Sequence, residues 1–203
     1  MTKPDFERAS AYAHTRLSRE LAPTLLFHSL AHTADDVVPA VERFAAEEGV
    51  AGHDLLLLRT AGWFHDLGYV RQRAEHEALS AEIAAEVLPA MGYSAVDVEA
   101  IRGMIMATRI PQTPHNLLEQ LLADADLNVL GQPDFLVKNQ ALRDELAAEN
   151  VTYSDTEWYG GQLKFISQHR YFTRAAQQLN DARKARNVEA MAVLLKRSQI
   201  EER

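Results

Sequence analysis

Apolar residues recur along the chain at the three- and four-residue steps of helices. Ile83, Val87 and either Ala90 or Met91 share one face, and Leu117, Leu118, Leu121 and Leu122 form a broad stripe. No run of alternating Val, Ile, Thr and aromatic residues is bounded by turns, so no strand is predicted. The pattern predicts helices near 6–21, 29–48, 53–66, 75–91, 95–107, 115–128, 134–149, 155–169 and 173–197. The breaks between them have mechanisms. Gly49 and Gly92 suit the left-handed position after a helix end. Ser94 with Asp97, and Ser154 with Glu157, match the pairs that cap helix starts reciprocally. Pro111 and Pro114 interrupt any helix through Thr113, and Pro133 suits a helix start. No repeat of fixed period and no Gly/Ser linker divides the chain. The expectation is an all-α, single-domain helical bundle, whose last two helices are able to form an appended hairpin.

Composition narrows the function classes. With 203 residues, 47% hydrophobic and 25% charged, the chain can fill one core or at most two small ones, and disorder is excluded as its main state. Cysteine is absent, which excludes a disulfide scaffold, a Cys-ligated zinc site, an iron–sulfur cluster and a thiol nucleophile. Residues 1–8 lack the apolar stretch of a signal peptide, and the longest strongly apolar run, Leu55 to Leu58, is far short of the roughly 20 residues of a membrane span. A cytoplasmic protein without membrane contact is expected. The net charge of −8 argues against nucleic acid as a partner. It leaves room for a small phosphorylated substrate, provided a buried cation supplies the positive charge that the surface lacks.

Candidate chemistry gathers on a few of the eight histidines. His28 and His32 are four apart and share a face if that segment is helical. His65-Asp66 ends an apolar helix, where an ionised Asp is costly to bury without a partner; a cation, an arginine or a backbone cap each fills that role. Asp124 and Asp126 are embedded in the apolar run Leu121–Leu127, and one of them is expected to face inward. His32, His65, Asp66 and Asp126 together make a ligand set of nitrogen and oxygen only. Such a set suits Mn, Fe, Co, Ni, Zn or Mg. It leaves positions open for water, whose pKa a divalent ion lowers.

His32 … His65-Asp66 … Asp126 resembles the H…HD…D signature of the HD superfamily of metal-dependent phosphohydrolases. The flanks Ala61-Gly62-Trp63-Phe64-His65-Asp66-Leu67-Gly68-Tyr69 and Asp124-Ala125-Asp126-Leu127 resemble that family too, and the Asp before Leu is its usual ligand, which favours Asp126 over Asp124. The resemblance covers about 24–131, a motif core followed by C-terminal helices over about 134–197. Thr156-Glu157-Trp158 and His169-Arg170-Tyr171-Phe172-Thr173 extend a similarity to bacterial HD proteins, some fused to nucleotide cyclases. Phe27-His28-Ser29-Leu30-Ala31-His32 is similar to the YHNxxH stretch of class I cyclic-nucleotide phosphodiesterases. That likeness implies that His28 is the general acid and His32 a metal ligand; the alternative is a His that only caps a helix start after Pro23. His76 opens the next helix, whose N-terminus attracts phosphate, so it is a candidate phosphate contact or, by resemblance to two-metal HD enzymes, a ligand of a second metal, unless it is simply a solvated first-turn residue.

Departures from the resembling families limit what carries over. The His-His pair of two-metal cyclic-di-GMP enzymes is missing near Ile105-Met106-Ala107-Thr108-Arg109. Tyr69 stands where deoxynucleoside monophosphatases carry a Glu, and Val70-Arg71 where guanosine-tetraphosphate hydrolases carry Glu-Asp. Those three substrate assignments do not transfer. Arg109 is a further candidate phosphate contact. Asp35 and Asp36 are candidates to orient the histidines. Arg183, Lys184 and Arg186 read as a solvated helix face, and Trp63 and Trp158 as packing residues.

The reading is a divalent-metal phosphohydrolase acting on a small phosphoester, a nucleotide or cyclic nucleotide. In it His32, His65, Asp66 and Asp126 hold the metal, Asp66 also orients the attacking oxygen, His28 protonates the leaving oxygen, and His76 and Arg109 contact substrate. The alternative is a metal-containing ligand-sensing or scaffolding module with little turnover.

Overall fold

Each expected helix is present in a computed structural model that describes residues 3–201; Met1 and Thr2 of the N-terminal stretch, with Glu202 and Arg203, lie outside the described residues. The helices are α1 (Phe6–Glu20), α2 (Val38–Glu47), α3 (Gly52–Phe64), α4 (His76–Val87), α5 (Ala95–Ala107), α6 (Leu117–Asp126), α7 (Phe135–Ala148), α8 (Asp155–Gln168) and α9 (Arg174–Glu201). No strand occurs among the described residues, and the fold is an all-α, single-domain bundle. No helix among them is long and apolar enough to cross a membrane. The Ser94–Asp97 and Ser154–Glu157 pairs cap α5 and α8 reciprocally, and Gly49 and Gly92 adopt the left-handed conformation.

The main differences lie where the chain passes the site. The segment expected as one helix over 29–48 is a bend through His28, a π-helical stretch His32–Val37, and then α2. Pro39 gives the widening a cause: it has no N–H for the carbonyl of Asp35 and its ring crowds that carbonyl. The helix expected over 75–91 tightens at Pro89 into a 3₁₀ turn, Leu88–Met91. Asp134 rather than Pro133 precedes the first turn of α7.

Two apolar clusters hold the helices together. The larger joins α1 to α6, with Leu58, Phe64, Ile101, Leu121 and Leu122 fully buried in it. The smaller lies under α7, α8 and α9 around Leu130, Phe135, Ile166 and Met191, with Phe27, Leu127 and Phe165 against it. Asp124 ties α9 to α6: its carboxylate accepts from the backbone N–H groups of Phe172 and Thr173 and from Thr173 Oγ1, at 2.7–2.8 Å. Lys184, expected on a solvated face, is buried; it donates to the His169 carbonyl at 2.6 Å and lies over the Tyr171 ring.

Candidate metal centre

His65 and Asp66 sit where α3 ends, after Leu58, Ala61 and Phe64 have carried the helix through the core. His65 Nδ1 donates to the carbonyl of Gly62 at 2.8 Å, which fixes the ring and turns Nε2 toward the cluster. His32 comes from the π-helical stretch, and Asp126 from the last turn of α6. Positions 124 and 126 are two apart on a helix and so face nearly opposite ways. This is why Asp124 reaches α9 while Asp126 reaches the histidines.

Three donor atoms, one each from His32, His65 and Asp66, lie within 4.8 Å of one another, and Asp126 Oδ1 adjoins both imidazoles. His32 Nε2 is 3.3 Å from Asp126 Oδ1 and 3.8 Å from Asp66 Oδ2. His65 Nε2 is 3.3 Å from Asp66 Oδ2 and 3.5 Å from Asp126 Oδ1. His65 Nε2 and Asp66 Oδ2 are buried and have no hydrogen-bond partner. Buried polar atoms are almost always satisfied, so two orphans facing each other call for a third body between them. Donors each about 2.1 Å from a common ion lie about 3.0 Å apart in octahedral and about 3.4 Å apart in tetrahedral coordination. The observed spacings fit a divalent cation, and the donor chemistry does as well.

The electrostatics make the same demand. Burial alone would raise the Asp66 carboxyl, but the facing His65 holds it far below the usual range. Burial likewise opposes ionisation of Asp126, and its contacts with His32 and His65 outweigh this and bring it to about 2. For His65 burial disfavours the charged form, yet the two carboxylates raise its pKa well above the ordinary value. The cluster therefore seeks positive charge at its centre.

A second layer surrounds these four residues. His28 is not on the face of a helix shared with His32, as its spacing suggested. The Phe27 and His28 N–H groups donate to Glu145 Oε2 at 2.8 and 3.0 Å, which keeps that segment out of the helix. Glu145 Oε1 lies 2.6 Å from His28 Nδ1, and Arg73 pairs with the same oxygen. Burial works against the Glu145 carboxylate, but His28 and the two amides hold it down, at about 2. Tyr69 stacks on His28 and meets His76 at a tilt, at 4.4 and 4.2 Å between centroids. His76 Nε2 is 3.5 Å from Asp66 Oδ1, the oxygen turned away from the four-atom cluster. Gly68 makes this approach possible, because a Cβ there would meet the His76 carbonyl oxygen at 2.0 Å. Asp36 Oδ2 is 4.0 Å from His32 Nδ1, and its Oδ1 accepts from Lys138.

A cavity of about 190 Å³ opens onto the cluster, and His28, Asp66, His76, Glu77 and Asp126 line its polar end. Arg109 is not among its lining residues. It pairs with Glu75 at 2.6 Å and borders a separate surface depression, so the structure does not bring it to the cluster with the other expected site residues. Glu145 and Gln162 were not singled out by sequence reasoning. Glu145 reads as one charge of a solvated helix face; the signal available was only its place three residues after Leu142.

Comparison with known proteins agrees with the geometry. Residues 24–127, just over half of the chain, match the family model of the HD domain. The fold resembles the crystal structure of a predicted HD superfamily hydrolase from an uncultured Thermotogales bacterium, at 18% identity over 96% of this chain and 93% of that one, with a TM-score of 0.65. It also resembles a structural-genomics target from Lactobacillus plantarum, at 18% identity over 97% and 95%, with a TM-score of 0.66. At that identity the likeness is one of fold. No curated protein matches the chain.

Proposed function

The chain belongs to the HD domain family, and from that premise we propose that it is a divalent-metal-dependent phosphohydrolase acting on a small phosphoester of the nucleotide or cyclic-nucleotide type. The observation that carries this reading is the pair of orphaned buried atoms, His65 Nε2 and Asp66 Oδ2, facing each other within the four-donor cluster. His32, His65, Asp66 and Asp126 are the residues that would hold the ion. When bound, such an ion polarises a phosphoryl oxygen and acidifies water.

The remaining roles fall to the chain itself. Asp66 uses Oδ2 toward the cluster and keeps Oδ1 on the side of His76, so one carboxylate can both hold the ion and orient the attacking oxygen. His28 carries the proton that the leaving oxygen needs. Glu145 fixes its Nδ1–H, which leaves Nε2 for the cavity that His28 lines. Tyr69 holds the His28 and His76 rings in register by its contacts with both, and burial keeps it a neutral phenol. His76 is a phosphate contact on this reading.

Hydrolysis of nucleotides, cyclic nucleotides and a generic phosphodiester with Mn, Co, Ni and Mg supplied in turn tests the proposal. Turnover that a chelator abolishes and fresh metal restores is expected. Tight nucleotide binding with no turnover under any of the metals would instead support the ligand-sensing alternative.

A further inference from the structure

Beyond its polar end the cavity runs along the smaller apolar cluster, walled by Phe27, Leu127, Leu130, Phe135 and Phe165, with Leu142 beside them. Among the described residues no lysine or arginine lines it, and the acidic groups that do are Asp66, Glu77 and Asp126. The nearby arginines are committed: Arg73 to Glu145 and Glu149, Arg109 to Glu75. A divalent ion at the cluster, its charge already met by Asp66 and Asp126, would hold one phosphoryl group there by coordination. Nothing in the apolar part offsets a second anionic group, and an unpaired charge is expensive to bury.

The apolar part contains one oriented polar device. The Trp158 indole N–H can only donate, and it reaches Asn139 at 2.8 Å, so the atom it meets is Oδ1. Asn139 Nδ2 must then face Gln162 at 2.7 Å, and the atom accepting there must be Oε1. The relay fixes the Gln162 amide. Its Nε2 makes no hydrogen bond to a described residue, and the side chain lines the cavity.

We infer that the cavity takes the organic part of a singly phosphorylated ester: a flat, largely apolar, uncharged group carrying a hydrogen-bond acceptor, which Gln162 reads through Nε2. The phosphate in this statement rests on the function proposed above; recognition of the organic group does not. Gln162 is a specificity-determining residue, and Asn139 and Trp158 position it.

Two bicyclic phenols, compared in mildly acidic buffer that keeps both neutral, contrast the acceptor: 4-methylumbelliferone carries a ring carbonyl and 2-naphthol carries only the hydroxyl that both share. Fluorescence titration of the full chain in chelator should show the first binding about tenfold more tightly than the second. Gln162→Leu should erase that difference, and Gln162→Met, which keeps the side-chain length, serves the same purpose if the leucine variant does not fold. In the metal-loaded protein, kcat/KM for 4-methylumbelliferyl phosphate should exceed that for 2-naphthyl phosphate, glycerol 2-phosphate and inorganic triphosphate by about tenfold or more. Equal binding of the two ring compounds, binding of neither, or a preference that survives at Gln162→Met overturns the inference and leaves the hydrolase reading standing. Gln162-dependent binding with no hydrolysis of any ester sustains the inference and removes the hydrolase reading.

Discussion

Glu145 Oε1 lies 2.6 Å from His28 Nδ1, joining residues 117 positions apart. The other oxygen of the same carboxylate takes the N–H groups of Phe27 and His28. One side chain thus sets both the backbone path and the ring orientation of the residue proposed to move a proton. Glu145→Gln would turn amide hydrogens toward donors that already point at it. The expected loss is about 3–5 kcal/mol of stability, the range for breaking a buried ion pair. Chemical denaturation measures it, and a loss under about 1 kcal/mol contradicts this role.

Glu145 also predicts an acid limb. Its folded pKa is depressed from 4.5 to about 2, so its contribution to stability is fully present above pH 4.5 and is lost as the pH falls through 2. The stability gap between wild type and Glu145→Gln should therefore be constant above pH 5 and shrink from there toward pH 2. A gap that does not change with pH would mean that the carboxylate is not held ionised by its partners.

His28 and Asp126 separate proton transfer from metal holding. His28→Ala should keep its metal and lose about 10²–10⁴-fold in kcat, the usual contribution of a general acid. Asp126→Ala should lose metal and turnover together. Turnover of His28→Ala equal to wild type removes the general-acid role, whatever the metal content.

Gly68 predicts a steric effect independent of catalysis. An added Cβ meets the backbone carbonyl of His76 at 2.0 Å, and a carbonyl at the start of α4 cannot swing aside as a side-chain tip can. Gly68→Ala should cost about 1–3 kcal/mol or more by overpacking. Thermal unfolding unchanged from wild type would show that the turn and α4 are free to part.

How much of this the sequence carried depends on the range of the interaction. The helices, both capping pairs and the left-handed glycines are local, and they follow from residues within one turn of each other. His32, His65, Asp66 and Asp126 were legible as a set because their order and flanks resemble a known signature. The bend at His28 was not legible, because its cause is a carboxylate from a helix more than a hundred residues away. Gln162 was equally hidden: its role depends on a relay that starts at an indole N–H on its own helix and passes through α7. The likeness of Phe27–His32 to phosphodiesterases rests on the sequence alone.

The central claim is that four side chains from three separate segments form a centre for one divalent ion. Elemental analysis of the full-length chain, dialysed against Mn, Co, Ni, Zn or Mg in turn and freed of excess, tests it most directly. One ion per chain with at least one of these metals is predicted for wild type, with His65→Ala and Asp66→Ala reduced to trace levels while still folded. Wild type that retains none of the five, or an Asp66→Ala variant that retains a full equivalent, would contradict it.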